Sequence, residues 1–226
     1  MKRLALINPN TNLATTEMMA AIAQANVGPD IKVEGHTAVL GPTIITDETA
    51  LTAAARQVET LGQSLARDGV DGLLISGFGD PGLAALRARL SIPVVGIAEA
   101  GMAAAAAHGD FAIITTTPDL RHAILDQVRR YGHEPRLAAL LISTGGAEVD
   151  MASPEAMTRA LADLAGRCGA KGARAVLIGG GPLARVAHAV RSASAIPVIE
   201  PVAAGAQHAS VVMGSPAPVQ KSALSV

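Results

Sequence analysis

The stretch Leu73–Leu83, LLISGFGDPGL, is an apolar run that breaks into a glycine-rich turn carrying an aspartate. Residues 175–186, AVLIGGGPLARV, repeat the pattern: a second apolar run ending in glycines. Short, continuous apolar runs bounded by Gly, Pro, Asn or Thr suit strands buried on both faces of a parallel sheet. RLALINP (3–9), IPVVGI (92–97), FAIITTT (111–117) and IPVIEP (196–201) have the same form. Between them, Ala-rich stretches at 49–67, 119–131 and 154–168 carry helical spacing. Ser153 before Pro154 reads as an N-cap followed by proline at the first helical position. This alternation predicts an α/β fold in which helices cover parallel sheets.

The pattern also repeats internally. LALINPNT (4–11) resembles FAIITTTP (111–118), and IPVVGIAEAG (92–101) matches IPVIEPVAAG (196–205) at a shift of 104. Gly77 and Gly180 stand 103 positions apart in the two glycine turns. Each half reads as strand, polar turn, helix, strand, glycine turn, helix, strand. Two similar lobes are therefore expected to face each other: residues 1–98 with the C-terminal 206–226, and residues 99–205. Ligands of open α/β sheets bind at the carboxyl ends of the strands. NPNT, SGFGD, TTT and GGGP all fall there, so the two glycine turns are expected to wall one small-molecule pocket.

Composition narrows the classes. The chain has 226 residues, half of them hydrophobic, and a formal charge of -1 with no basic block, which argues against nucleic acid as a partner. One tyrosine, two phenylalanines and no tryptophan leave no aromatic platform for bases. No apolar run approaches the ~18 to 20 residues of a membrane span. The opening MKRLALINPNT is broken by Asn8, Pro9 and Asn10 and reads as a strand, so the expected setting is cytoplasmic. The lone cysteine, Cys168, excludes an intramolecular disulfide and a multi-cysteine zinc site. It reads as a structural thiol. GFGDPG is neither a P-loop nor a dinucleotide fingerprint.

Candidate site residues follow from these turns. Asn8, Asn10 and Thr11 offer amides and a hydroxyl, Thr115 and Thr116 offer hydroxyls, and the turns at Phe78, Gly79 and Gly181 offer backbone N–H groups. Such groups suit a small anion or a polar carbonyl, although Asn and Thr also cap helices and close turns without any ligand. Asp80 could act in the pocket or serve as a cap beside Pro81, and Glu200 poses the same choice. Ser76 would be a nucleophile only with an adjacent base. His36, His188 and His208 stand alone with no metal-binding spacing. His36 is the one of the three that could reach the pocket, and a divalent metal is neither indicated nor excluded.

INPNT, GFGDPGL with PVVGIAEA, ITT, RYG and PVIEPVAA together resemble the hydantoin and allantoin racemase branch of the aspartate/glutamate racemase superfamily, from the first strand to about residue 213. The resemblance implies a two-lobed α/β fold with pseudo-twofold symmetry, cofactor-free proton transfer at carbon, and homo-oligomers. It also implies a cysteine on each wall, one removing a proton and the other returning it from the opposite face. Here those positions are Gly77, preceded by Ser76, and Gly180. Glycine has no group that transfers a proton, so the two-thiol mechanism cannot run.

Three readings follow. In the first, the enzyme is a lyase or hydrolase acting on a hydantoin- or thiohydantoin-like ring or a related small carboxylate. In the second, it is a racemase whose bases are Asp80 or His36 with water. In the third, it is a catalytically silent ureide-binding protein. In the first, Gly77 and Gly180 leave an enlarged cleft whose backbone N–H groups stabilise an oxyanion.

Overall fold

The computed structural model describes residues 1–146 and 153–214. It contains two four-stranded sheets, every recorded strand pair of which is parallel. The first is ordered β2-β1-β3-β4, from β1 (Lys2–Asn8), β2 (Ile31–Thr37), β3 (Gly72–Ile75) and β4 (Val94–Gly96). The second is ordered β6-β5-β7-β8, from β5 (Phe111–Thr115), β6 (Leu137–Ile142), β7 (Ala175–Ile178) and β8 (Val198–Ile199). The same order in both sheets realises the internal repeat. The central strands β1, β3, β5 and β7 are the continuous apolar runs, because helices cover both of their faces.

Each half has four strands where the sequence reading counted three. The additional ones are the edge strands β2 and β6. β2, IKVEGHT, alternates polar and apolar residues and is half-exposed, as an edge permits. β6, LAALLI, has a composition equally at home in a helix.

Helices fill the expected places: α1 (Leu13–Gln24), α2 (Glu48–Arg67), α3 (Leu83–Arg89), α4 (Ile97–Ala106), α5 (Arg121–Arg130), α6 (Pro154–Cys168), α7 (Ala187–Ser192) and α8 (Pro201–Val212). Ser153 Oγ accepts a hydrogen bond from Ala156 N at 3.1 Å, so it caps α6 with Pro154 as the first helical residue. Asn12 caps α1 in the same way, through Thr15 N at 3.0 Å.

Two helices tie the halves together. α4 leaves the first sheet and packs on β7 and β8, whereas α8 leaves the second sheet and packs on α1, β3 and β4. The two helices also pack on each other. Gly101 and Gly205 permit this, since a β-carbon at either position would meet a leucine side chain (Leu177 or Leu74) at 2.8 Å. The glycine turns are exchanged likewise. Phe78 of the first turn is buried among Met102, Phe111, Ile113 and Leu120. Ala184, after the second turn, is buried among Leu4, Leu6 and Met19. Among the described residues no helix is long and apolar enough to cross a membrane.

Candidate functional site

A cavity of about 50 Å³ lies where the carboxyl ends of the two sheets meet. Its wall on one side comes from the β1 and β3 turns, through Pro9, Asn10, Ser76, Gly77 and Phe78. The opposite wall comes from the β5 and β7 turns, through Thr115, Thr116, Thr117 and Gly179–Leu183. Ile44, Ile45, Leu51 and Leu120 complete an apolar part of the lining. None of these described lining residues carries an ionisable side chain.

The polar groups of this wall differ in what they already bind. Thr115 Oγ1 donates to Gly179 O at 2.9 Å and lies 3.0 Å from Thr117 Oγ1, so it fastens β5 to the second glycine turn. Thr116 Oγ1 is buried and has no hydrogen-bond partner among the described residues. A buried hydroxyl left unpaired costs ~1 to 3 kcal/mol, so one in a cavity wall asks for an occupant. Asn10 lines the cavity, but its Oδ1 is engaged by Asn8 Nδ2 and Asn12 N, each at 2.9 Å. The backbone N–H groups of Gly77, Phe78, Gly180 and Gly181 bond to no described residue.

Several sequence candidates stand elsewhere. Asn8 is fully buried, and its Nδ2 donates to Asn10 and Thr16, so it shapes the NPNT turn from behind. Thr11 N donates to Pro42 O at 3.1 Å and thereby tethers the loop that carries Ile44 and Ile45. Gly79 is outside the lining, and Gln127 Nε2 holds its carbonyl. Ser76 contributes to the wall, yet its hydroxyl lies 3.1 Å from Met19 Sδ, with no base beside it.

Asp80 and Glu200 are caps. Asp80 Oδ1 accepts from Ala98 N and Oδ2 from Glu99 N, both at 2.9 Å, so it caps α4 and not the adjacent α3. Burial raises its pKa to about 6. Glu200 caps α8 through Val202 N and Ala203 N, both at 2.8 Å, and burial raises its pKa as well.

His36 also stays outside the lining. Burial lowers its pKa, and its Nε2, in the edge strand β2, is buried with no partner among the described residues. Among the described residues no three His, Cys, Asp or Glu side chains gather to hold a metal. Cys168 is buried at the end of α6, where its thiol donates to Leu164 O at 3.2 Å and burial pushes its pKa up to about 11.

Gly77 and Gly180, where the family resemblance led us to expect an enlarged cleft, do not leave one. A β-carbon on Gly77 would lie 2.5 Å from Pro9 Cγ, and one on Gly180 would lie 3.1 Å from the Leu183 side chain. Pro9 and Leu183 occupy that space. Gly181 serves the approach of the two halves: a β-carbon there would meet Ser76 O at 2.9 Å and Met19 Sδ at 2.8 Å.

Comparison with known proteins fits this architecture. Residues 4–209 match the family described as Asp/Glu/Hydantoin racemase. The chain belongs to that family. It is 29% identical over 216 residues to a hydantoin racemase of Pseudomonas sp. (strain NS671), covering 93% of this chain and 86% of that one. It is 29% identical over 210 residues to a hydantoin racemase of Paenarthrobacter aurescens, covering 89% and 87%. The structure of an allantoin racemase from Klebsiella pneumoniae superposes with a TM-score of 0.86 at 29% identity, covering 100% of this chain and 97% of that one. A maleate isomerase from Pseudomonas putida S16 shares the fold at a TM-score of 0.72 and 14% identity, covering 95% and 94%.

Sequence reasoning placed the NPNT, TTT and GGGP motifs at the pocket without singling out Pro9, Thr117, Gly179 or Pro182, and it missed Ile44, Ile45, Leu51, Leu120 and Leu183 among the lining residues. Thr117 had a signal, being the third hydroxyl of the TTT run. Ile44 and Ile45 had a weaker one, an apolar pair inside a loop otherwise built of Gly, Pro and Thr.

Proposed function

We propose that this family member is an enzyme that binds a hydantoin-like ring, or a related small carboxylate, and stabilises an oxyanion developing on its carbonyl. The observation that carries this reading is the unpartnered Thr116 hydroxyl in a cavity whose glycine turns also hold unbonded N–H groups. Donors fixed in advance around a developing oxyanion are worth ~2.7 to 4 kcal/mol each where measured.

Among the described lining residues no side chain can take a proton from carbon. That favours cleavage of a bond whose departing group leaves its electron pair behind, a lyase reaction. In a ring carrying a carboxylate beside its carbonyl, the carbon–carbon bond breaks and carbon dioxide departs. The electron pair moves into the carbonyl as an enolate held by the donors, and water then supplies a proton to carbon. The apolar lining at Ile44, Ile45, Leu51 and Leu120 suits this step, since it solvates a carboxylate poorly and carbon dioxide well. Hydrolysis of the ring would use the same donors for a tetrahedral oxyanion. Racemisation is the second reading, supported by the activities named for the relatives at 29% identity; it needs solvent as the base.

One experiment separates these outcomes. The protein is incubated in deuterated buffer with single enantiomers of 5-methylhydantoin and allantoin, and with hydantoin-5-carboxylate, and the products are followed by NMR and chiral chromatography. Loss of carbon dioxide or ring opening supports the lead reading. Deuterium at C5 with loss of chirality supports racemisation. Tight binding with no turnover of any probe rejects both in favour of a silent binder.

A further inference from the structure

The first glycine turn is gripped from the opposite half at three points. Phe78 belongs to one buried apolar cluster with Leu120, Ile124 and Val128, which lie in α5 and the turn leading into it. Gln127 Nε2, on α5, donates to Gly79 O. Tyr131, the C-cap residue of α5, donates its hydroxyl to Asp80 Oδ2 at 2.8 Å. Asp80 also caps α4 from a left-handed backbone conformation (φ 47°), the only one of its kind outside glycine among the described residues. A β-carbon on Gly96 would lie 2.3 Å from the Asp80 carboxyl carbon, so the backbone of the first sheet leaves room for that carboxylate alone.

We infer that Gln127 and Tyr131 are positioning residues: α5 latches the Gly77–Asp80 turn and so sets where that turn's N–H groups stand in the cavity wall. Neither side chain lines the cavity, and each acts through the turn. The functional weight of this latch rests on the proposed use of those N–H groups; its existence does not.

The latch responds to pH with a sign fixed by its chemistry. The carboxylate is faced by Tyr131 from the end of α5 and by Glu99 on α4, which is itself ion-paired with Arg87 of α3 at 2.6 Å; Arg130 lies next to Tyr131 in α5. The Tyr131 hydrogen bond favours the ionised carboxylate, so protonating Asp80 weakens that bond in return. The latch is closed above about pH 6 and loosens below it.

Amide exchange followed by NMR on the ligand-free protein tests this without reference to any reaction. Asp80 N–H closes the turn on Gly77 O at 2.9 Å and serves as the reporter, with Val176 and Leu177 of β7 as controls. After correction for intrinsic rates, Tyr131→Phe should speed exchange at Asp80 about 13- to 160-fold at pH 7.5, the range for losing a hydrogen bond to a charged group. The acceleration should shrink below pH 5, and Asp80→Asn should abolish the pH dependence. Gln127→Leu should speed the same amide. Exchange at Asp80 that is unchanged in both Tyr131→Phe and Gln127→Leu overturns the inference. So does equal acceleration at β7, which would mark these residues as general stabilisers.

Discussion

Replacing Thr116 with valine deletes one oxygen and keeps the shape of the side chain. That oxygen is buried with no hydrogen-bond partner among the described residues, and a buried hydroxyl left unpaired costs ~1 to 3 kcal/mol. Valine removes the cost, so Thr116→Val should raise stability by an amount up to that size. For a chain of this length each kcal/mol moves the melting temperature by roughly 2 to 4 °C. Ligand affinity should move the other way. Losing a hydrogen bond to a neutral carbonyl costs ~0.5 to 1.5 kcal/mol, about 2- to 13-fold in Kd; to an anion it costs ~1.5 to 3 kcal/mol, about 13- to 160-fold. Thermal melts with and without hydantoin, together with titration calorimetry, read both quantities from one variant. A variant that melts lower than the parent and binds hydantoin equally well refutes the reasoning, because the hydroxyl would then be structural.

Cys168 should react slowly with iodoacetamide in the folded protein at pH 7.5, since burial pushes its pKa up to about 11; rapid labelling that ligand blocks would contradict this. Gly77→Cys should cost ~1 to 3 kcal/mol, because Pro9 must move from 2.5 Å, whereas Gly180→Cys meets only the rotatable Leu183 and should cost less; urea melts showing the reverse order would contradict the packing. Asp80 has a folded pKa of about 6 against a usual 3.8, so its contribution to stability is fully present below about pH 4 and lost as pH rises through about 6. By linkage, the stability of the parent relative to Asp80→Asn should fall by on the order of 3 kcal/mol between pH 4 and 7, and a pH-independent difference would place Asp80 in water.

The two-lobed fold was legible because its central strands are buried on both faces and therefore read as unbroken apolar runs. Two of the four edge strands were less legible: β2 includes Lys32, Glu34 and His36, and β6, built of Leu, Ala and Ile, has a composition equally at home in a helix, whereas the edge strands β4 and β8 lie within the apolar runs at 92–97 and 196–201. The cavity walls were legible for a related reason. Residues that follow a central parallel strand stand at its carboxyl end, which brings Asn10, Gly77, Thr116 and Gly180 to one place. Longer-range consequences of folding were not legible. Asp80 looks like a cap for the helix that follows it, yet it caps α4, because the chain returns through β4 and presents the N-terminus of α4 to it. Ile44 and Ile45 reach the cavity along a loop whose path no local pattern records. The space expected at Gly77 is filled by Pro9, a contact that exists only once β1 and β3 lie side by side.

The central claim is that the ligand's carbonyl sits among the N–H groups of the two glycine turns. Titrating nitrogen-15-labelled protein with hydantoin and allantoin tests it most directly. The account predicts downfield amide proton shifts at Gly77, Phe78, Gly180 and Gly181, reduced when Thr116 is valine. A probe that binds while those four amides stay still, with its shifts gathered elsewhere on the protein, would contradict the account.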